Sequence, residues 1–287
     1  MQRGIIICSS SNVYQVAENE KIYKCLARGK FKKERINPLV GDEVKFTITN
    51  SEKREGVIEQ IFPRKNELKR PKIANLTQLI LVVSMKMPSP DLLLLDKQLA
   101  FAQFMRLKAN IVLNKVDLEN IEEIEKIAKL YEKIGYKVIQ TNAKQGIKVE
   151  KIKELLKDEI TAFAGNSGVG KSTLINSIFA QELTQEGDIS DKNQRGKNTT
   201  TSTTLYKYME NSYIADTPGF STFEINEIPK EDLCHYFVEF VPYLDKCEFQ
   251  GCSHIKEEKC GVKEAIESGN ISLQRYENYV KIYNNLS

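Results

Sequence analysis

Gly165-Asn166-Ser167-Gly168-Val169-Gly170-Lys171-Ser172 decides the architecture of this 287-residue chain. The octapeptide satisfies G-x-x-x-x-G-K-[ST] at every fixed position. The apolar run Ile160–Ala164 before it predicts a strand, and Ser172–Phe179 after it predicts a helix. Glycines at such a junction let the backbone wrap closely around phosphate, with successive N–H groups and the helix N-terminus facing the anion. Lys171 is the residue to reach the terminal phosphates, and the Ser172 hydroxyl, beside Thr173, is the one to bind Mg²⁺. The motif specifies a nucleotide and leaves its base open.

Strands and helices alternate upstream of the loop. Leu79–Ser84 predicts a buried strand, and Leu92, Leu95, Leu99 and Ala102 have helical spacing. Ile111–Leu113 is a strand; Ile121, Ile124, Ile127, Tyr131 and Ile134 mark a helix; Val138–Thr141 is a strand and Val149–Leu156 a helix. This order implies a parallel sheet covered on both faces. Asn114-Lys115-Val116-Asp117 follows one of these strands and matches the N-K-x-D signature of guanine recognition. A carboxylate at Asp117 can accept from N1–H and the exocyclic amine of guanine. Adenine lacks that donor pair and would leave the acceptor unmatched. Thr141-Asn142-Ala143 occupies the place of the S-A-K segment that supports the base, with a different sequence.

Asp216-Thr217-Pro218-Gly219 follows the strand Tyr213–Ala215 and resembles D-x-x-G, whose Asp contacts Mg²⁺ through water and whose Gly N–H senses the γ-phosphate. Arg195–Thr204, between the phosphate loop and Asp216, is polar, Thr-rich and aperiodic. Thr199 or Thr200 is positioned there to ligate Mg²⁺, with Thr200 the assigned ligand beside Ser172. Phe220 stands where many small GTPases carry a water-orienting Gln. The order of motifs is unusual: Asn114–Asp117 and Thr141–Ala143 precede the phosphate loop, so the domain reads as circularly permuted. Moving the chain ends leaves such a sheet able to form.

The flanks differ in character. Residues 1–70 carry 15 Lys and Arg against 9 Asp and Glu, a net of +6, whereas the whole chain stands at +3. Five short strand-like runs there (Gly4–Cys8, Asn12–Val16, Ile22–Leu26, the Val44–Ile48 alternation and Gly56–Phe62) suggest an OB-fold barrel. Arg28–Arg35 reads as a loop or strand edge, and Arg28, Lys30, Lys32, Lys33 and Arg35 are candidate RNA-backbone contacts. At the other end, Cys247-x4-Cys252-x-His254-x5-Cys260 supplies three thiolates and one imidazole, a complete tetrahedral set for one structural Zn²⁺. Cys8, Cys25 and Cys234 are scattered and read as small hydrophobes, and His235 as structural. A helix is expected over Ser272–Leu286, its Tyr276, Tyr279 and Tyr283 forming packing surface. No apolar run approaches the ~18 residues of a membrane span, and no secretory leader is visible. The expected organisation is an OB-fold module over 1–70, a circularly permuted α/β P-loop domain over 71–225, and a zinc-binding module with a C-terminal helix over 226–287.

A basic barrel, then N-K-x-D, a P-loop, D-T-P-G and C-x4-C-x-H-x5-C form a combination that closely resembles the RsgA (YjeQ) family across essentially the whole chain. Val40-Gly41-Asp42 and Arg64–Pro71 look like that family as well. The resemblance implies a cytoplasmic, monomeric GTPase. It would bind GTP and GDP, act late in maturation of the small ribosomal subunit, contact its rRNA, and be stimulated by that subunit. Family members often place a His just before the switch threonines; this chain has Asn198, which can hydrogen-bond water but is no general base near neutral pH. Two other readings stand beside it: a nucleotide-binding RNA module with little turnover, and a permuted GTPase acting on another ribosomal target.

Overall fold

The computed structural model describes residues 1–33, 36–183, 203–216 and 227–286. They form two compact units. The first is built from the described residues of 1–78, 150–163, 175–183 and 203–216, the second from 79–149, 164–174 and 227–286.

The first unit opens with β1 (Gln2–Ser10), β2 (Val13–Glu18), β3 (Lys21–Ala27), β4 (Glu43–Asn50) and β5 (Glu55–Ile61). β1, β2 and β3 pair antiparallel in sequence, β3 pairs parallel with β5, β5 antiparallel with β4, and β4 returns to β1. This circuit closes the five-stranded barrel anticipated from the sequence and leaves it no open edge. Its interior is apolar: Ile6, Val16, Cys25, Val44, Phe46 and Ile58 are fully buried. Between β3 and β4 the basic segment is not a loop or strand edge, because Gly29–Lys33 forms a short helix, α1. The Phe31 ring is the reason: it is buried as the inward anchor of that turn, with the Lys30 ammonium 5.3 Å from its centroid.

The junction after the barrel is a hairpin, β6 (Glu67–Lys69) and β7 (Lys72–Ala74). It explains why Val40-Gly41-Asp42 and Arg64–Pro71 stand out in the sequence. Asp42 is fully buried and accepts from Arg64 Nε at 2.7 Å, Arg64 Nη2 at 2.8 Å and the Leu39 N–H at 2.7 Å. Ala74 N–H donates to the Val40 carbonyl at 2.8 Å, and Asn75 Nδ2 to the Gly41 carbonyl at 2.9 Å. A buried carboxylate held by a fork of guanidinium donors fixes the hairpin to the barrel.

Also in the first unit, α4 (Val149–Leu155) leads into β11 (Ile160–Ala164), and β12 (Thr204–Met209) forms a hairpin with β13 (Ser212–Asp216). β11 and β13 are parallel, as the sequence implies. β12 is antiparallel to β13, so this sheet is mixed. Thr204, read as the end of a loop, is the first residue of β12 and pairs with Cys8 of β1. Lys207 Nζ reinforces that seam, donating to the Asn19 carbonyl at 2.9 Å and to Glu20 Oε1 at 2.7 Å.

The second unit contains β8 (Gln78–Ser84), α2 (Leu92–Phe104), β9 (Lys108–Asn114), α3 (Ile121–Glu132) and β10 (Lys137–Thr141), with strand order β10-β9-β8 and a parallel β9–β10 pair. Every residue of β8 is buried, the mark of a strand covered on both faces. In α3, Ile124, Ile127 and Tyr131 face inward as the spacing predicts, but Ile121 is 72% exposed and Ile134 lies beyond the helix. After residue 226 come two 3₁₀ turns, Lys230–Tyr236 and Val241–Lys246, then α6 (Gly261–Glu267) and α7 (Leu273–Asn285). Phe237, Phe240 and Tyr279 form their core, with ring centroids 5.0–5.3 Å apart. No helix among the described residues is long and apolar enough to cross a membrane.

Candidate nucleotide site and metal centre

The phosphate loop links β11 to α5 (Lys171–Leu183). Two of its glycines are required by what surrounds them. Gly165 has φ +136°, and a Cβ there would stand 2.2 Å from the Val82 carbonyl oxygen. Gly170 has φ +99°, and a Cβ there would stand 2.3 Å from Asn114 Nδ2. Lys171 Nζ donates to the carbonyls of Gly165 at 2.7 Å and Asn166 at 2.8 Å, so its ammonium arches over the loop it belongs to. Burial pulls the Lys171 pKa below its ordinary value. Ser172 and Thr173 are exposed on the first turn of α5.

Asn114 joins this loop to the guanine motif. It is 2% exposed; its Nδ2 donates to the Val169 carbonyl at 2.9 Å and its Oδ1 accepts from Ala143 N–H at 3.0 Å. One buried amide thus fixes the phosphate loop, the end of β9 and the segment after β10 against one another. Lys115 sits in a left-handed conformation at φ 61°, and its Nζ donates to the carbonyls of Gly168, at 2.8 Å, and Met87. Asp117 is exposed in the turn Val116–Leu118, free to meet a base. Thr141 Oγ1 donates to the Ile147 carbonyl, while Asn142 Oδ1 accepts from the Lys144 and Gln145 N–H groups at 3.1 and 3.2 Å. These side chains shape the loop that presents Ala143 to Asn114. The second unit therefore brings together Asn114, Lys115, Asp117, Thr141, Asn142, Ala143 and the phosphate loop. Asp216 is the exposed last residue of β13 in the first unit. Asn198, Thr199, Thr200, Gly219 and Phe220 lie outside the described residues.

A Gly170→Ala substitution tests the Asn114 junction. It places a methyl against Asn114 in a backbone conformation that costs about 1–3 kcal/mol for a non-glycine residue. Guanine-nucleotide affinity is expected to fall at least about tenfold; unchanged affinity in a fluorescent-nucleotide titration would show that the junction is not needed.

The Cys/His cluster lies in the second unit. The ligand atoms of Cys247, Cys252, His254 and Cys260 all lie within 4.8 Å of one another. His254 Nδ1 is 3.5 Å from Cys247 Sγ and 3.3 Å from Cys260 Sγ, and those two sulfurs are 4.0 Å apart. A tetrahedral ion with M–S of ~2.3 Å and M–N of ~2.0 Å needs ligand separations of roughly 3.5–3.8 Å, so small side-chain movements would bring this set onto one metal ion. Burial lowers the His254 pKa, favouring the neutral imidazole that ligates, and pushes the Cys252 thiol up to about 12. The Tyr stripe of α7 does more than fill space, because it also holds the ligand loop. Tyr276 Oη donates to the His254 carbonyl at 2.8 Å and Tyr279 Oη to the Ser253 carbonyl at 3.0 Å.

Glu257 belongs to no motif in the sequence, yet it shapes the ligand loop. Its carboxylate accepts from the N–H groups of Ser253 (2.8 Å), Ile255 (3.0 Å) and Lys256 (3.1 Å) and from Ser253 Oγ. Burial alone would raise its pKa, but these donors prevail and hold it at about 2. A carboxylate folded onto neighbouring N–H groups has no sequence signature beyond being an acid near ligands. Glu257→Ala is expected to weaken metal affinity by about 10–100-fold, read by competition with a chromogenic chelator. Affinity equal to wild type would show that the loop holds its shape without it.

Arg28, among the candidate RNA contacts, pairs with Glu59 at 2.7 Å, and Lys30 is exposed. Phe31 is only 4% exposed and offers no stacking face. The side chains of Lys32 and Lys33, and the whole of Arg35, lie outside what is described.

The family model for the RsgA N-terminal domain matches residues 3–58, and that for the RsgA GTPase domain matches 61–226. The chain belongs to the RsgA GTPase family. It is 44% identical over 285 residues to a protein of Clostridium acetobutylicum and 42% identical over 285 to one of Ruminiclostridium cellulolyticum, both named small ribosomal subunit biogenesis GTPase RsgA. Each alignment covers 99% of this chain, and 98% and 93% of the relatives. Among solved structures, YjeQ from Thermotoga maritima matches with a TM-score of 0.86 at 40% identity, covering 99% of this chain and 98% of that one. YloQ, described as a circularly permuted GTPase, matches with a TM-score of 0.83 at 35% identity over 100% and 95%. RsgA membership accounts for the N-terminal barrel and the GTPase domain, and the likeness to YloQ for the permuted order.

Proposed function

We propose that this GTPase hydrolyses GTP to GDP and phosphate as a late assembly factor of the small ribosomal subunit, and that the subunit stimulates it. The observation that carries the nucleotide half is Asn114, whose single buried side chain holds the phosphate loop and the guanine motif in one cradle. The ribosomal half is supported by the names of relatives that align over nearly the whole chain.

In this reading Asp117 selects guanine. The amides of Gly165, Asn166, Ser167, Gly168, Val169 and Gly170, with Lys171, stabilise charge on the phosphates. Thr141, Asn142 and Ala143 support the base. Ser172 and Thr200 ligate Mg²⁺, which when bound neutralises charge on the phosphate oxygens. Thr199, Asp216 and Gly219 complete the γ-phosphate side, with Thr173 beside Ser172. Phe220 cannot orient water and Asn198 cannot act as its base, so the remaining help comes from the bound subunit. The metal held by Cys247, Cys252, His254 and Cys260 is zinc, the ion that thiolate-rich tetrahedral sets favour. The barrel of residues 1–70, through Arg28, Lys30, Lys32, Lys33 and Arg35, and the metal module of 226–287 contact rRNA by backbone and shape. The GTPase domain spans 71–225 between them, and the chain works as a cytoplasmic monomer.

GTP turnover by the purified chain, alone and with small subunits, tests this, with large subunits and ATP as controls. Strong stimulation by small subunits with GTP alone is expected. GTP binding without stimulation would sink the subunit-activated reading in favour of a binding-only role, which Phe220 favours.

A further inference from the structure

Helix α2 carries two anchors that the nucleotide reading does not use. At its N-terminus, Asp91 accepts from Leu94 N–H at 2.9 Å with Oδ1, capping the helix, and from Asn166 Nδ2 at 2.9 Å with Oδ2. One carboxylate thereby holds both the helix start and the second residue of the phosphate loop. Five residues on, Asp96 is fully buried. It accepts from Asn278 Nδ2 at 2.6 Å, from Tyr131 Oη at 2.8 Å and from the Arg275 guanidinium. Arg275 is itself 1% exposed; its Nε and Nη2 donate to Glu239 at 2.7 and 3.0 Å, and the guanidinium lies 4.6 Å from the Phe237 ring centroid. Asn278 and Arg275 belong to α7, the helix whose Tyr276 and Tyr279 grip the metal-ligand loop.

Over its first two turns α2 lines a crevice together with the phosphate loop. Leu94, Leu95 and Gln98 share a crevice with Gly165, Asn166 and Val169. Gln98 is 1% exposed and its Nε2 has no hydrogen-bond partner. The buried pairs at Asp96 are intolerant of displacement, because breaking one strands a charge away from water. A shift of α7 therefore pulls on α2 through Asp96, and the surface bond from Asn166 to Asp91 links the start of α2 to the loop.

We propose that α2 couples the C-terminal metal module to the phosphate loop, with Asp91 as the positioning residue at the loop end. The proposal rests on the guanine-nucleotide reading of that loop. A contiguous path is only a route; coupling is shown by non-additivity.

The test uses the full chain, the fluorescent nucleotide mant-GDP and a thermal melt of every variant. Asp91→Ser keeps a helix-capping hydroxyl but cannot span to Asn166 as well. It is expected to weaken mant-GDP binding about five- to tenfold, the worth of one ordinary solvent-exposed hydrogen bond, with little change in Tm. Asn166→Ala should weaken binding similarly and add nothing in the Asp91→Ser background. Asn278→Ala, at the far end, should weaken binding in the wild-type background and have no effect once Asp91 is Ser. Should Asn278→Ala melt below the assay temperature, Arg275→Lys takes its place. Wild-type affinity in Asp91→Ser, or an Asn278→Ala effect of equal size in both backgrounds, overturns the coupling while leaving the nucleotide reading intact. A wild-type chain that binds no guanine nucleotide overturns both.

Discussion

Lys171→Met is expected to lower GTP turnover by about 10²–10³-fold, the usual cost of deleting one preorganised donor aimed at developing charge. Methionine keeps the length and apolar stem of lysine and loses the ammonium, so the substitution isolates the charge. The position is preorganised in this chain, since Nζ is fixed by the carbonyls of Gly165 and Asn166. Burial lowers its pKa, so part of the desolvation needed for a strong contact has already been met by folding. The loop keeps its backbone amides, so nucleotide affinity should fall far less than the rate. Single-turnover phosphate release, measured with and without the small subunit, separates the two. A rate within tenfold of wild type would remove Lys171 from the chemistry and leave it a loop brace.

The second large effect is expected from Cys260→Ala. Bound metal should fall from one ion per chain to nearly none, and the C-terminal module should lose its fixed packing. In zinc-finger peptides a structural ion contributes about 10–16 kcal/mol of apparent binding energy, most of it folding energy; here the aromatic core shares that role. Cys260 is fully buried, and its carbonyl accepts from Glu264 N–H at 3.0 Å in the first turn of α6, so the loss reaches that helix too. The chain has 12 Tyr and no Trp, so near-ultraviolet dichroism reports tyrosines directly. Tyr276 and Tyr279, bound to the ligand-loop carbonyls, should lose much of their signal. The same ion should leave in acid. With the Cys252 thiol pushed up to about 12, protons compete with metal for sulfur, and affinity must fall as pH falls. A metal-free variant with unchanged dichroism would show that aromatic packing alone holds the module.

What the sequence discloses follows from how local each signal is. The phosphate loop, Asn114–Asp117 and the Cys/His spacing are short motifs whose chemistry demands those residues, and they are legible without a fold. Four barrel strands appear as short apolar runs bounded by turn residues and the fifth as alternation. β12 does not, because a register shift between Lys207 and Met209 breaks its alternation and its first residue closes a Thr-rich stretch. α1 is invisible for a different reason: five cations in the eight residues Arg28–Arg35 read as a solvated run, and only the burial of Phe31 reveals the turn. α6 has only seven residues, two turns, too few for a period to register. The Asp96–Arg275–Glu239 cluster spans 179 residues in sequence, and its members resemble any surface charges until the fold buries them. Asn114 is legible as part of a motif, but its two partners, 55 and 29 residues further on, are not.

Those separations bear on how the chain is made. Translation delivers Asn114–Asp117 before the phosphate loop, and domains fold as they emerge. Asn114 is synthesised before either partner; Ala143 follows 29 residues later and Val169 55 residues later. Until residue 169 appears, a nascent chain carries the Asp117 carboxylate, the group proposed to select the base, without a complete phosphate loop. A GTPase in the ordinary order grips phosphate before it can choose the base. In the permuted order the proposed base-selecting turn precedes the proposed phosphate grip, and the Cys/His cluster is synthesised after both.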